Sequence, residues 1–269
     1  MPNRARRTAV LVTVLVVVAA VVAVVAFCLG RASDATPPPG TSSMSTPTLT
    51  ATLAPTYSPT DVYGSPEPGL ARGPVASGRG GRSTGPAGLP LGYDRTPDGA
   101  ASAASNYLSW MNSLRIVDAG TADAMAGAAA SDARTKAALV QSFNALRSGM
   151  TGLTADEEQV NRGAYAVASY SAARAVVYIW APEVTTDSSG ETDHVWSIDA
   201  VALVWASDDW KLDGGLVSRS GAAAVDPSDP AGNPTAAEKH SILVRTPADP
   251  GAINDSADQT WLEYADAAR

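Results

Sequence analysis

Asp199 is the residue in this sequence best placed to do chemistry. It stands inside the apolar run His194–Trp205 (HVWSIDAVALVW), alternating with Ser197, Val201 and Leu203 along what reads as a β-strand. A carboxylate is expensive to bury there unless it is partnered. Such surroundings raise a carboxyl pKa toward the range that a general acid or base uses at neutral pH. Tyr178 and Trp180 share a face of the preceding predicted strand, and Trp196 and Trp205 lie on the same strand as Asp199. Tyr178, Trp180, Trp196, Asp199 and Trp205 therefore form the candidate pocket or interface. The plainer reading turns Asp199 to solvent, or pairs it with an arginine such as Arg174.

The remaining chemistry-bearing residues are sparse. The two histidines, His194 and His240, are far apart. His194 has Glu191 and Asp193 beside it, but one histidine near loop carboxylates is ordinary surface chemistry. No paired-histidine motif, nucleophile elbow or phosphate loop is present. The Gly78–Gly81 cluster precedes no helix and no Walker lysine. Asp208 and Asp209 make a turn, without the spaced oxygen donors of a calcium loop. The single cysteine, Cys28, falls in an apolar N-terminal run, so the rest of the chain has no thiol for a disulfide, a thiolate metal site or a nucleophile. We expect no catalytic, cofactor-binding or metal-ligating residues, no cofactor, and no enzymatic activity.

Charge and hydropathy divide the 269 residues. Residues 1–31 carry +4 from Arg4, Arg6, Arg7 and Arg31; the net charge of −8 leaves −12 for the rest. That acidity argues against nucleic acid and anionic lipid headgroups as partners. Thr8–Leu29 is an uncharged run of 22 residues without proline or glycine. As a helix it spans about 33 Å, the thickness of a bilayer core. Three arginines precede it, and after Arg31 no Lys or Arg occurs before Arg72, which places residues 1–7 in the cytoplasm. A cleaved signal peptide has a shorter apolar core and small residues before the cut. A lipoprotein would carry a small residue where Phe27 precedes Cys28. The expectation is an uncleaved transmembrane helix over 8–29, single-pass in the cell membrane, with the C-terminal domain extracytoplasmic.

Residues 30–87 are rich in Pro, Ser, Thr and Gly and read as a disordered linker. A domain follows over 88–215. Thr96, Pro97 and Asp98 are an N-cap, a first-turn proline and a dipole-matched acid. They open a helix over Pro97–Leu114. Further helices are expected over about Thr121–Ala130 and Asp132–Ser148. The period then changes to strands over Tyr165–Tyr170, Ala173–Val184, His194–Trp205 and Trp210–Leu212. The fold class expected is α+β, with two to three helices packed on a curved antiparallel sheet of about four strands. Both faces of His194–Trp205 look apolar, which calls for cover by the C-terminal tail or by a protein partner. In that tail, 216–269, Ser241–Val244 reads as a short strand and Gln259–Ala268 as a terminal helix.

Three helices followed by such a sheet resemble the cone of nuclear transport factor 2 and its relatives. The opening GYDRTPDGAASAASNYL and closing VALVWASDDWKLDGG resemble outer domains of anchored conjugation proteins of the TcpC type, themselves similar to the bitopic scaffold subunit of type IV secretion systems. The P-x-G-Y and T-P-x-G-A opening also resembles an uncharacterised group of actinobacterial anchored proteins. The resemblance spans about Gly88–Gly215. It implies a non-enzymatic scaffold or assembly role beside other envelope proteins or further copies of itself, with no catalytic residues to carry over. Two alternatives stay open: a small-ligand-binding or enzymatic cone built around Asp199, and a cell-wall-binding module using exposed tryptophans.

Overall fold

A computed structural model describes residues 69–214, 217–220, 231–245 and 260–267. The expected membrane helix over 8–29 lies outside the described residues. Among those described, no helix is long and apolar enough to cross a membrane.

The fold is α+β, with four α-helices and a mixed sheet. Helix α1 runs Pro97–Met111, and Thr96 Oγ1 accepts from Gly99 N at 3.0 Å as its N-cap. Small residues let it lie deep: Gly99 through Leu108 are all buried. Helix α2 (Ala119–Ala129) is capped by Asp118 and α3 (Ala133–Arg147) by Asp132, each carboxylate accepting from the N–H three residues on. Replacing Thr96 by Ala removes one such bond, and we expect a loss of about 1 kcal/mol in urea denaturation. An unchanged midpoint would show that packing alone holds the start of α1.

The sheet is built on two long strands, β6 (Arg174–Asp187) and β7 (Thr192–Ala206), paired along most of their length. Each is long enough to take two partners along its other edge. Strands β4 (Leu153–Glu158) and β5 (Ala164–Tyr170) share β6, while β8 (Asp209–Leu212) and β9 (Val217–Ser220) share β7. Two further strands extend the β5 edge: β10 (Leu262–Glu263) pairs antiparallel with β5, and β1 (Ala71–Arg72) pairs parallel with β10. The sheet therefore has eight strands and is mixed, not four and purely antiparallel. A separate hairpin joins β2 (Ser83–Thr84) to β3 (Pro90–Leu91).

Alternation along β6 and β7 sorts their side chains onto two faces. Val177, Ile179, Ala181, Val201 and Leu203 meet the core formed with α1–α3. Tyr178, Trp180, Trp196 and Ile198 meet a second core closed by Leu243 and Trp261. Leu243 belongs to α4 (Ala236–Arg245), so the chain's own C-terminal part covers the outer face.

Three expected boundaries change. The folded part starts by Gly69, not Gly88, because Val75 is buried and β1 joins the sheet. Ser241–Val244 is helical. Thr235 and Glu238 form a capping box that starts α4: Thr235 N donates to Glu238 Oε2 at 2.7 Å and Glu238 N donates to Thr235 Oγ1 at 3.3 Å. The segment from Gln259 onward is a strand and a turn over its described residues 260–267, because its backbone pairs with β5 and β1.

Candidate functional site

Four carboxylates converge on the helix-facing side of the sheet. Glu158 on β4 is in direct register with Glu183 on β6, and Asp156 with Thr185, so both β4 acids share the face of Glu183. Asp199 on β7 is opposite Ile179 and Ser197 opposite Ala181, on that same face. Residue exposure is 8% for Asp156, 3% for Glu158 and 2% for Asp199, and Glu183 is half-buried. Two neutral donors reach in. Asn112, the C-cap of α1, donates Nδ2–H to Glu158 Oε2 at 2.8 Å. Ser197 Oγ donates to Asp199 Oδ2 at 2.6 Å. Glu158 Oε1 is buried without a donor, and the Asp156 oxygens meet no donor other than the Glu183 carboxyl.

Like charges set opposite one another on a buried sheet face cannot all ionise cheaply. Protonation relieves this. Burial pushes Glu158 well above the ordinary glutamate range, and the charge of Asp199 adds to it. Glu183 is pushed up to about 7, first by burial and then by the Asp156 and Asp199 charges. Asp156 is raised by burial, while a hydrogen bond from Glu183 opposes the rise. That bond between two carboxyl groups needs a proton, which the pair holds on Glu183. Asp156, Glu158 and Glu183 are each pushed toward the protonated form, and Glu183 holds its proton up to about pH 7. Among the described residues no group of three or more His, Cys, Asp or Glu side chains is arranged to hold a metal ion.

The five candidate residues do not form one pocket. Asp199 is in the carboxylate cluster. Trp205 is on the same face but toward the other end of β7, edge-on to Trp210 at 5.3 Å and stacked under Arg95. Tyr178, Trp180 and Trp196 point to the opposite face, with Trp180 and Trp196 4.3 Å apart. Arg174 does not pair with Asp199: its register partner is Val204, and its guanidinium meets Asp213 at 3.4 Å. His194 Nδ1 is 3.2 Å from Arg162, and His240 is exposed on α4. Sequence reasoning missed Asp156, Glu158 and Glu183. Two signals were available: acids spaced by two in TADEE, and Glu183 directly after the apolar run 175–182 of β6.

On the outer face a second buried polar group stands alone. Lys239 of α4 is 0% exposed, and its Nζ donates to Glu263 Oε1 at 2.8 Å and to Gly163 O at 3.3 Å. Burial lowers its pKa, and the bond to Glu263 opposes that. Between the helices and β8, an apolar crevice lined by Tyr107, Trp110, Met125, Phe143 and Leu212 is separate from both polar groups.

The fold and this site define an α+β domain with a proton-holding carboxylate cluster at the sheet–helix interface. The chain belongs to the family described as Domain of unknown function (DUF8175), whose model matches residues 30–235. The matched span includes the carboxylate cluster and ends just before α4. Neither the curated proteins nor the solved structures contain a match.

Proposed function

We propose that this chain is a non-enzymatic, membrane-anchored scaffold or assembly protein, similar to conjugation and type IV secretion components. Its 8–29 run anchors it in a single pass with the N-terminus cytoplasmic, and the folded domain stands outside the cytoplasm on a Pro/Ser/Thr-rich tether. Its partners are other envelope proteins or further copies of itself. The observation that carries this reading is the closure of Asp199. At 2% exposure its carboxylate is closed from solvent and accepts from Ser197 Oγ. The cone-like relationship to nuclear transport factor 2 belongs to the same proposal.

One observation favours a second reading, a ligand-binding or acid–base site. Glu183 is only half-buried and has a pKa of about 7, which suits a general acid. The wall-binding alternative draws less support. Trp180, Trp196, Trp210 and Trp261 are buried, and Trp110 and Trp205 lie under Arg115 and Arg95.

Crosslinking in native membranes followed by identification of the captured proteins tests the scaffold. We expect the same envelope proteins, or multiples of this chain, in repeated captures. Recovery of the chain alone and uncrosslinked in every capture would sink the scaffold reading.

A further inference from the structure

Residues 260–267 are bound to the rest of the domain as a peptide ligand would be. Their backbone fills a slot between β1 and β5, pairing through Leu262 and Glu263 with Ala71 and Arg72 on one side and with Tyr165 and Ala164 on the other. Gly73 N donates to Glu263 O at 2.8 Å and Ala265 N to Val75 O at 2.7 Å. The side chains then enter separate places. Trp261 packs beside Tyr178 on the outer face. Glu263 meets the buried Lys239. Tyr264 reaches the inner core, stacked near Tyr165 at 5.0 Å, with its hydroxyl 2.8 Å from Ser105 Oγ. Asp266 closes the surface end on the backbone N–H and hydroxyl of Ser77.

Slot and ligand are also separable in the chain. β1 and β5 lie within the residues matched by the family, 30–235, whereas 260–267 lie outside them. Tyr264 is 159 positions from its partner Ser105. Its ladder pairs are only Leu262 and Glu263, flanked by the bonds at Gly73 and Ala265, so few backbone bonds hold the segment even though its anchors are deep. The same contacts form whichever copy supplies the segment, which is the condition for low-cost exchange between identical chains.

We propose that the slot between β1 and β5 is a strand-accepting site for an extended aromatic–apolar–acid–aromatic segment, and that it takes Trp261–Ala267 from a second copy of the chain as well as from its own. The aromatic residues select by shape. The acid is required because Lys239 is closed from water and needs its carboxylate. The exchange makes a mutual dimer or an open chain of copies, according to whether two slots and two segments close on each other. It stands independently of the membrane anchor.

The test uses the full chain with Cys28→Ser, Ser77→Cys and Asp266→Cys, oxidised over about a hundredfold range of protein concentration. Positions 77 and 266 are at the surface and adjacent only when the segment is docked. Exchange predicts disulfides joining 77 of one copy to 266 of another, rising at least about fivefold across that range. Same-copy disulfides alone at every concentration overturn the proposal. So do interchain disulfides that join 77 to 77 or 266 to 266.

A second measurement covers failure of the pair to oxidise. A labelled synthetic peptide of residues 260–269 is added to the unlabelled wild-type chain and to its Trp261→Ala variant. Weakening the resident segment should tighten peptide binding about tenfold, and Glu263→Gln in the peptide should weaken it by at least about tenfold. Peptide binding absent from both chains, or indifferent to Glu263→Gln, overturns it.

Discussion

Lys239→Ala is expected to destabilise the folded domain by about 3–5 kcal/mol, because it leaves the Glu263 carboxylate buried without its cation. The loss arises from the uncompensated charge rather than from a strong bond. Lys239 Nζ and Glu263 Oε1 are 2.8 Å apart at 0% and 6% side-chain exposure, and Gly163 O takes a further hydrogen bond. Both groups were dehydrated to reach this arrangement, and burial pushes the lysine pKa down despite its partner. Replacing both together, Lys239→Met with Glu263→Leu, removes two desolvated charges and keeps most of the volume. That double variant should recover most of the lost stability and lie within about 1–2 kcal/mol of wild type. Urea denaturation of wild type, Lys239→Met, Glu263→Leu and the double variant measures the coupling directly. A double variant as unstable as Lys239→Ala would mean that the pair is needed for local geometry, through Gly163 O, and not merely for charge balance. The effect should fall on the C-terminal cover, since Lys239 and Glu263 lie on α4 and β10, the two elements that close the outer face.

The parts of this fold legible in the sequence are those whose local chemistry agrees with their packing. Thr96-Pro97-Asp98 announces α1, and the structure caps it as read. β6 and β7 are dense in Val, Ile and Trp over 14 and 15 residues, long enough to show the period. β4 was not legible. Its sequence LTADEE is mostly polar, and it becomes a strand because β6 offers a free edge and the helix-facing side buries its alternate acids. β1 and β10 have two residues each, too few to show any period; β10 forms against the edge of β5, and β1 against β10. Trp261, Leu262 and Tyr264 fit a helical stripe as well as a strand, and the edge of β5 decides between them. The candidate site followed the same rule. Asp199 stood out as an acid in an apolar strand. Glu183 stood directly after an apolar run, while Asp156 and Glu158 were hidden within an acidic stretch that reads as a loop. Trp180 and Trp196 were read with Asp199, yet β6 and β7 put them on the other side of the sheet.

The raised carboxyls of the cluster are expected to make the domain more stable in weak acid than at neutral pH, the reverse of what ion-paired carboxylates give. Glu158, Glu183 and Asp156 all have folded-state pKa values above their ordinary ones. A group raised in this way contributes its stability in full below the ordinary value and loses it as pH rises through the folded one. For Glu183 that window runs from the ordinary 4.5 to about 7, and Glu158 and Asp156 act in the same sense. Asp118 and Asp132 act in the opposite sense. Backbone donors at Thr121 and Thr135 hold them below the ordinary 3.8, so their contribution fades only in stronger acid. The melting temperature should therefore peak near pH 4–5 and fall by roughly 5 °C or more by pH 8. Glu158→Gln isolates the cause. Its amide oxygen still accepts from Asn112, and its NH2 group supplies a donor beside Asp199 and Glu183 without a charge to lose. The variant should melt higher than wild type at pH 8, and the gap should close as pH falls to the ordinary glutamate value of 4.5. Thermal scans of both chains across pH 4–8 decide the matter. Parallel curves would clear Glu158 of the effect, and a wild-type curve that rises toward pH 8 would mean the four acids ionise in the folded state with charges compensated by other groups. The predicted slope has a consequence for the extracytoplasmic placement proposed above: acidification there would tighten the packing of β4 and the end of α1 against the sheet, rather than loosen it.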